Sequence, residues 1–77
     1  MMYTQCTLRR PTENGYSVDT AWIPSEFAKV GKIIKIKQAD DSWEDGWKVV
    51  STGTTRSAEW LQGHERDYLH QREASDV

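Results

Sequence analysis

Cysteine occurs once, at Cys6. An intrachain disulfide is therefore excluded, which fits a reducing compartment, and there is no cysteine set for a structural zinc. Histidine occurs twice, at His64 and His70. Six positions apart on a helix, the two point about 240° away from each other and cannot share a metal ion. Leucine is scarce, and no apolar run approaches the length of a membrane span or a signal-peptide core. A soluble, cytoplasmic chain is the expectation. Glycine-rich phosphate loops are missing too. Asp67 and His70 could meet at i,i+3, but spacing sets no nucleophile beside them, so a solvated ion pair is expected there. The sequence offers no catalytic residue, no cofactor site and no metal ligand set. The reading is of a domain that binds rather than catalyses.

Aromatic residues supply what leucine does not. Trp22, Trp43, Trp47 and Trp60 stand with Tyr3, Tyr16, Tyr68 and Phe27 in a chain of 77 residues. Each ring can bury roughly 150–250 Å², so a few can hold a small core together. A chain this short makes one domain, 1–77, with a small core and no room for a deep cleft. Residues 1–2 and 74–77 are expected to fray.

The pattern predicts four strands. In residues 3–10, Cys6 and Leu8 share one face, Gln5 and Thr7 the other, and Pro11 is expected to end the strand. Asn14-Gly15 signals a tight turn into residues 16–23. There Tyr16, Val18, Thr20 and Trp22 share a face. After Pro24, Ser25 can cap a helical turn through Phe27 and Val30 that Gly31 ends. Residues 32–37 place Ile34 and Ile36 inward, and Ile33, out of alternation, suggests cover on both faces. Residues 47–52 put Trp47 and Val49 on one side. Ser57 reads as an N-cap, with Glu59 at the positive end of the helix dipole. Trp60, Leu61, His64, Tyr68 and Leu69 then form one helical stripe within residues 57–72. The expected core is Val18, Trp22, Phe27, Ile34, Ile36, Val49, Trp60 and Leu61. The fold class is mainly β (α+β): a small curled antiparallel sheet of about four strands. The architecture expected is an SH3-like partial barrel with a C-terminal helix.

The net charge is −2, but residues 1–38 carry six basic groups against three acidic, and residues 39–77 carry nine acidic against four basic. Two candidate surfaces follow. Asp40, Asp41, Glu44 and Asp45 surround Trp43 in a polar loop. Their spacing is wrong for a calcium loop, and an indole among hydrated carboxylates is a candidate anchor for a protein partner. Arg66 and Tyr68 on the terminal helix join that set. The alternative surface is basic: Arg9, Arg10, Lys32, Lys35 and Lys37 could grip nucleic acid, but outward strand lysines also guard sheet edges against pairing. Given the acidic second half, nucleic-acid binding is expected to be weak.

Three blocks carry a resemblance. They are Thr20-Ala21-Trp22-Ile23-Pro24-Ser25-Glu26-Phe27-Ala28-Lys29-Val30-Gly31, then Gly46-Trp47-Lys48-Val49-Val50, then Arg66-Asp67-Tyr68 ahead of Ala74-Ser75-Asp76. Together they resemble a family of short, uncharacterised proteins of tailed bacteriophages. The resemblance supplies no site. It implies a phage protein acting in the host cytoplasm or in a virion, and a bacterial or phage protein as the expected partner. The alternatives carried beside it are a nucleic-acid-binding mini-barrel and a structural virion component.

Overall fold

The computed structural model describes residues 1–76. Five strands form one antiparallel sheet: β1 (Met2–Thr12), β2 (Gly15–Pro24), β3 (Ile33–Lys37), β4 (Trp43–Ser57) and β5 (Ala74–Ser75). Their spatial order is β2-β1-β4-β3-β5. Two short helices, α1 (Ala58–Gln62) and α2 (Glu65–Tyr68), follow β4. The fold is mainly β, with one strand more than the sequence pattern suggests. No helix among the described residues is long and apolar enough to cross a membrane.

The β1–β2 hairpin closes at Thr12↔Gly15, so the turn is Glu13-Asn14 and only Gly15 takes a positive φ, of 136°. Pro11 does not end β1. It pairs with Tyr16, and β4 reaches only as far as Arg9 on the other side of β1. A residue in that place has no ladder donor to lose, so proline is tolerated. β4 is much longer than expected at both ends. Its register with β3 shifts between Ile34 and Ile36, where Gly46 takes φ 83°. Its register with β1 shifts twice as well. Such bulges bend a strand and increase its twist, which lets one long strand serve two neighbours in different directions.

The sheet has a principal cluster on one face and a smaller one on the other. Cys6, Leu8, Ala21, Ile23, Ile34, Ile36, Trp47 and Val49 pack together on the first face, with Phe27, Ala28 and Ala74 against them. Tyr3, Trp22 and Leu61 pack on the opposite face, covered by Ala58 and Trp60 of α1. Trp22, Ile34, Ile36, Val49 and Leu61 are buried as expected, while Phe27 and Trp60 are half-buried. Val18 is not core: it is exposed, as are Val30 and Ile33. Val18 does share a face with Trp22, but α1 covers that face only at Trp22. β2 contributes Ala21 and Ile23 to the principal cluster instead. Ser25 does not cap a helix. Its hydroxyl lies 2.8 Å from Thr4 Oγ1, and only a 3-10 turn forms over Ser25–Phe27. Burial of Cys6 pushes its thiol up to about 11.

Ser57 is the N-cap, its Oγ accepting from Trp60 N at 3.1 Å. The expected single helix is broken, however. Gly63 caps α1, and His64 has φ −127° and ψ 81°, so α2 starts anew. Each helix is too short to persist alone, and only Leu61 anchors them in the core. Tyr68 and Leu69 are consequently exposed rather than part of a buried stripe. His64 is exposed too. It stacks on Trp60 at 3.7 Å, and its Nδ1 lies 2.7 Å from Trp60 O.

Beyond α2 the chain forms a strap. Trp22 N–H donates to His70 O, and Arg72 N–H donates to Trp22 O, both at 2.9 Å. Lys37 N–H donates to Glu73 O at 3.0 Å, and Ala74 and Ser75 pair with Ile36 and Lys35. The strap thus runs from β2, an edge strand, to β3. Of the residues expected to fray, Met2 pairs with Ser57 and β5 holds Ala74–Ser75. Val77, the last residue expected to fray, lies outside the described residues.

Candidate functional site

The strap brings the two acidic-surface candidates together. The loop 38–42 is a tight turn in which Gln38 N–H donates to Ser42 O at 2.8 Å and Asp41 takes φ 67°. Asp40 Oδ1 accepts from Ser42 N at 3.0 Å. The side-chain and backbone hydrogen bonds from Ser42 hold the Asp40 carboxyl below the usual carboxylate range. Beside this turn the strap leaves an open hollow of about 440 Å³, whose walls include Gln38 and Asp41 on one side and Leu69, Gln71 and Arg72 on the other. Glu73 lines this hollow and a second one that Trp43, Phe27 and Ala74 share. Glu73 also lines a third hollow with Tyr68 and Leu69, so three neighbouring hollows, linked through this strap residue, form a rim from Tyr68 and Leu69 to Trp43.

Trp43 is the first residue of β4, opposite Lys37, and not a loop residue. It nevertheless stays 47% exposed. Asp40, Asp41 and Asp45 are exposed around it. Glu44 is different: it is half-buried, accepts from Trp47 Nε1 at 2.9 Å and lies 3.9 Å from Arg10. Glu44 is thus a structural partner of Trp47. Arg66 is on α2 but faces another hollow, beside Gln5, Thr20, Trp22, Asp67 and His70. It does not join the rim, whereas Tyr68 does.

Sequence reasoning missed Leu69, Gln71 and Arg72 as site residues. Leu69 had been placed in a helical core stripe, and Gln71 and Arg72 sit in a polar run with no periodicity. Gln71 Oε1 is buried with no hydrogen-bond partner. A buried acceptor left so costs about 1–3 kcal/mol. Arg72 is engaged locally, its Nη1 donating to Leu69 O at 2.8 Å.

The basic candidates do not converge. Arg9 lies over the Tyr16 ring, 4.3 Å from its centroid, on the hairpin. Arg10 donates through Nε to Asp45 O at 2.7 Å. Lys32 pairs with Asp76 at 3.1 Å, and Lys37 lies between Asp41 and Glu73 at 3.8 and 3.4 Å. Lys35 is half-buried on β3, with β4 between it and the hairpin. Among the described residues no group of three His, Cys, Asp or Glu is placed to hold a metal ion.

No family model matches the chain, and no curated protein or solved structure matches it.

Proposed function

We propose that this chain is a small, non-catalytic domain that binds a protein partner through the rim formed by Tyr68, Leu69, the strap and Trp43. One observation carries the reading: Glu73 of the strap is shared by the hollows that Tyr68 and Leu69, Asp41, and Trp43 line, and the side chains of Tyr68, Leu69 and Trp43 are exposed. Tryptophan and tyrosine, here Trp43 and Tyr68, are among the residues enriched in protein-binding hot spots. The partner that fits is a protein with a basic surface around an apolar depression. The architecture proposed with it is an SH3-like partial barrel, supported by the strap's bonds to both β2 and β3. The resemblance of the three sequence blocks to short proteins of tailed bacteriophages supports a bacterial or phage partner in the host cytoplasm, with modulation of that partner as the outcome.

The nucleic-acid alternative has less support, because Arg10, Lys32 and Lys37 are already engaged by this chain's own groups. The deciding experiment compares the wild type with Trp43→Ala and Leu69→Asp in capture from nuclease-treated bacterial lysate. Each variant should keep its melting temperature and lose a specifically retained protein, by roughly 2 kcal/mol or more in affinity. Retention that survives both substitutions, or that vanishes on nuclease treatment of the wild type, contradicts the reading.

A further inference from the structure

The free edge of β2 carries an inference independent of the rim. Trp22 gives its N–H to His70 O and takes the Arg72 N–H on its own carbonyl, so both its backbone groups point away from β1. Antiparallel strands alternate in this respect, and the β1–β2 register runs from Tyr3↔Pro24 to Thr12↔Gly15 without a shift. Tyr16, Val18 and Thr20 therefore also present their N–H and C=O groups outward. Among the described residues no strand pairs with this edge between Gly15 and Ala21. Its one local guard is Asp19, whose Oδ1 accepts from Thr20 N at 2.8 Å. Lysine and proline, the common protections of an exposed edge, do not occur from Gly15 to Ile23.

The segment is self-complementary. When two copies pair antiparallel about a two-fold axis at Val18, Val18 meets Val18 and Tyr16 lies opposite Thr20. On the other face Ser17 meets Asp19, so no like charges are directly opposed. Thr20 lines a hollow of about 290 Å³ with Gln5, Trp22, Arg66, Asp67 and His70. Tyr16 is exposed and shares a face with Thr20 and Trp22, so in the pair its ring, covered on one side by Arg9 at 4.3 Å, lies on the same face as that hollow of the other copy. Arg66 and Asp67 make no hydrogen bond or ion pair through their side chains in the single chain, and either is suited to meet a phenol hydroxyl.

We infer that the β2 edge is a homodimer interface, with β2 paired to β2 around Val18 and Tyr16 of each copy seated beside Trp22 of the other. Pairing exchanges the Asp19–Thr20 bond for a backbone bond and extends the sheet across both copies. An extended peptide of another protein is the competing occupant.

Sedimentation equilibrium of the purified chain tests this. The expected result is a reversible dimer with a dissociation constant on the order of 10–100 µM, as fits a small interface. Val18→Pro removes an outward N–H from each copy and no bond to β1. It should weaken the dimer on the order of tenfold or more with monomer melting unchanged. If that variant does not fold, Val18→Lys serves, because it sets two like charges side by side at the axis. Tyr16→Ala should weaken the dimer as well, since it empties the hollow. A chain that stays monomeric at about 1 mM, or a dimer that tolerates both substitutions, overturns the inference; a monomer leaves the edge to a foreign strand.

Discussion

The two halves of the β1–β2 hairpin are made from the same strands with the same alternation, yet they have different physics. At the base, Cys6, Ala21 and Ile23 pack in the principal cluster on one face while Tyr3 and Trp22 pack under α1 on the other. Toward the tip, β2 residues Tyr16 to Thr20 are exposed on both faces. β-Propensity and periodicity decide that both halves are strand. What covers each half is decided elsewhere in the chain, by α1 and the strap. The base supplies stability, and the tip is left with an edge that no strand pairs among the described residues and a face on which Arg9 lies over Tyr16.

Substitutions at the two ends should separate these roles. Trp22→Ala should cost on the order of 3–5 kcal/mol, enough to unfold so small a domain, and Ile23→Ala about 2–5 kcal/mol. Val18→Ala, in the same strand, should stay within about 0.5 kcal/mol. Denaturant melts of the three variants would break the comparison if Val18→Ala were as damaging as Ile23→Ala.

Cys6 tests the base by pH. Its folded thiol is raised from the ordinary 9.0 to about 11. The unfolded chain therefore ionises first as pH rises. The contribution is complete below about pH 9 and is lost as pH passes through the folded value. Stability should fall across that window, and Cys6→Ser should flatten the fall. At pH 8 the native thiol should resist alkylation that the unfolded chain accepts at once.

Trp43 and Asp40 should show smaller effects. Trp43→Ala should change stability by no more than about 1 kcal/mol, because much of its indole is already in water. Asp40 titrates below its ordinary value because Ser42 donates to it. Its contribution is present above the ordinary carboxylate pKa and is lost as pH falls through the lowered one. In Ser42→Ala, NMR titration should show the Asp40 value moving up, with no measurable change in melting.

The sequence made much of the sheet legible. Alternation placed four of the five strands, and Ser57 was legible as the cap of α1, but β4, expected over 47–52, runs from Trp43 to Ser57. It failed where glycine and proline looked like breakers. Pro11 and Gly53 sit inside strands, and Gly46 marks a bulge rather than the edge of a loop, so Trp43 was read as loop when it begins β4. It failed again where one face is covered for only part of its length, as at Val18. The strap was invisible because its pairing is made by backbone groups, and residues 70–73 carry no apolar pattern. That is also why half of the candidate rim, from Leu69 to Arg72, could not be read, while its acidic half could.

The strap is the hinge of the account: it joins β2 to β3 and assembles the rim. Residue-resolved amide exchange in dilute solution tests it most directly. The N–H groups of Trp22, Arg72 and Lys37 make its bonds. They should be protected to within about tenfold of Val49, a core amide, while Val18 exchanges nearly as fast as in an unfolded chain. If Trp22, Arg72 and Lys37 exchange as fast as Val18, the strap is not docked, and the rim proposed as the binding surface does not exist in solution.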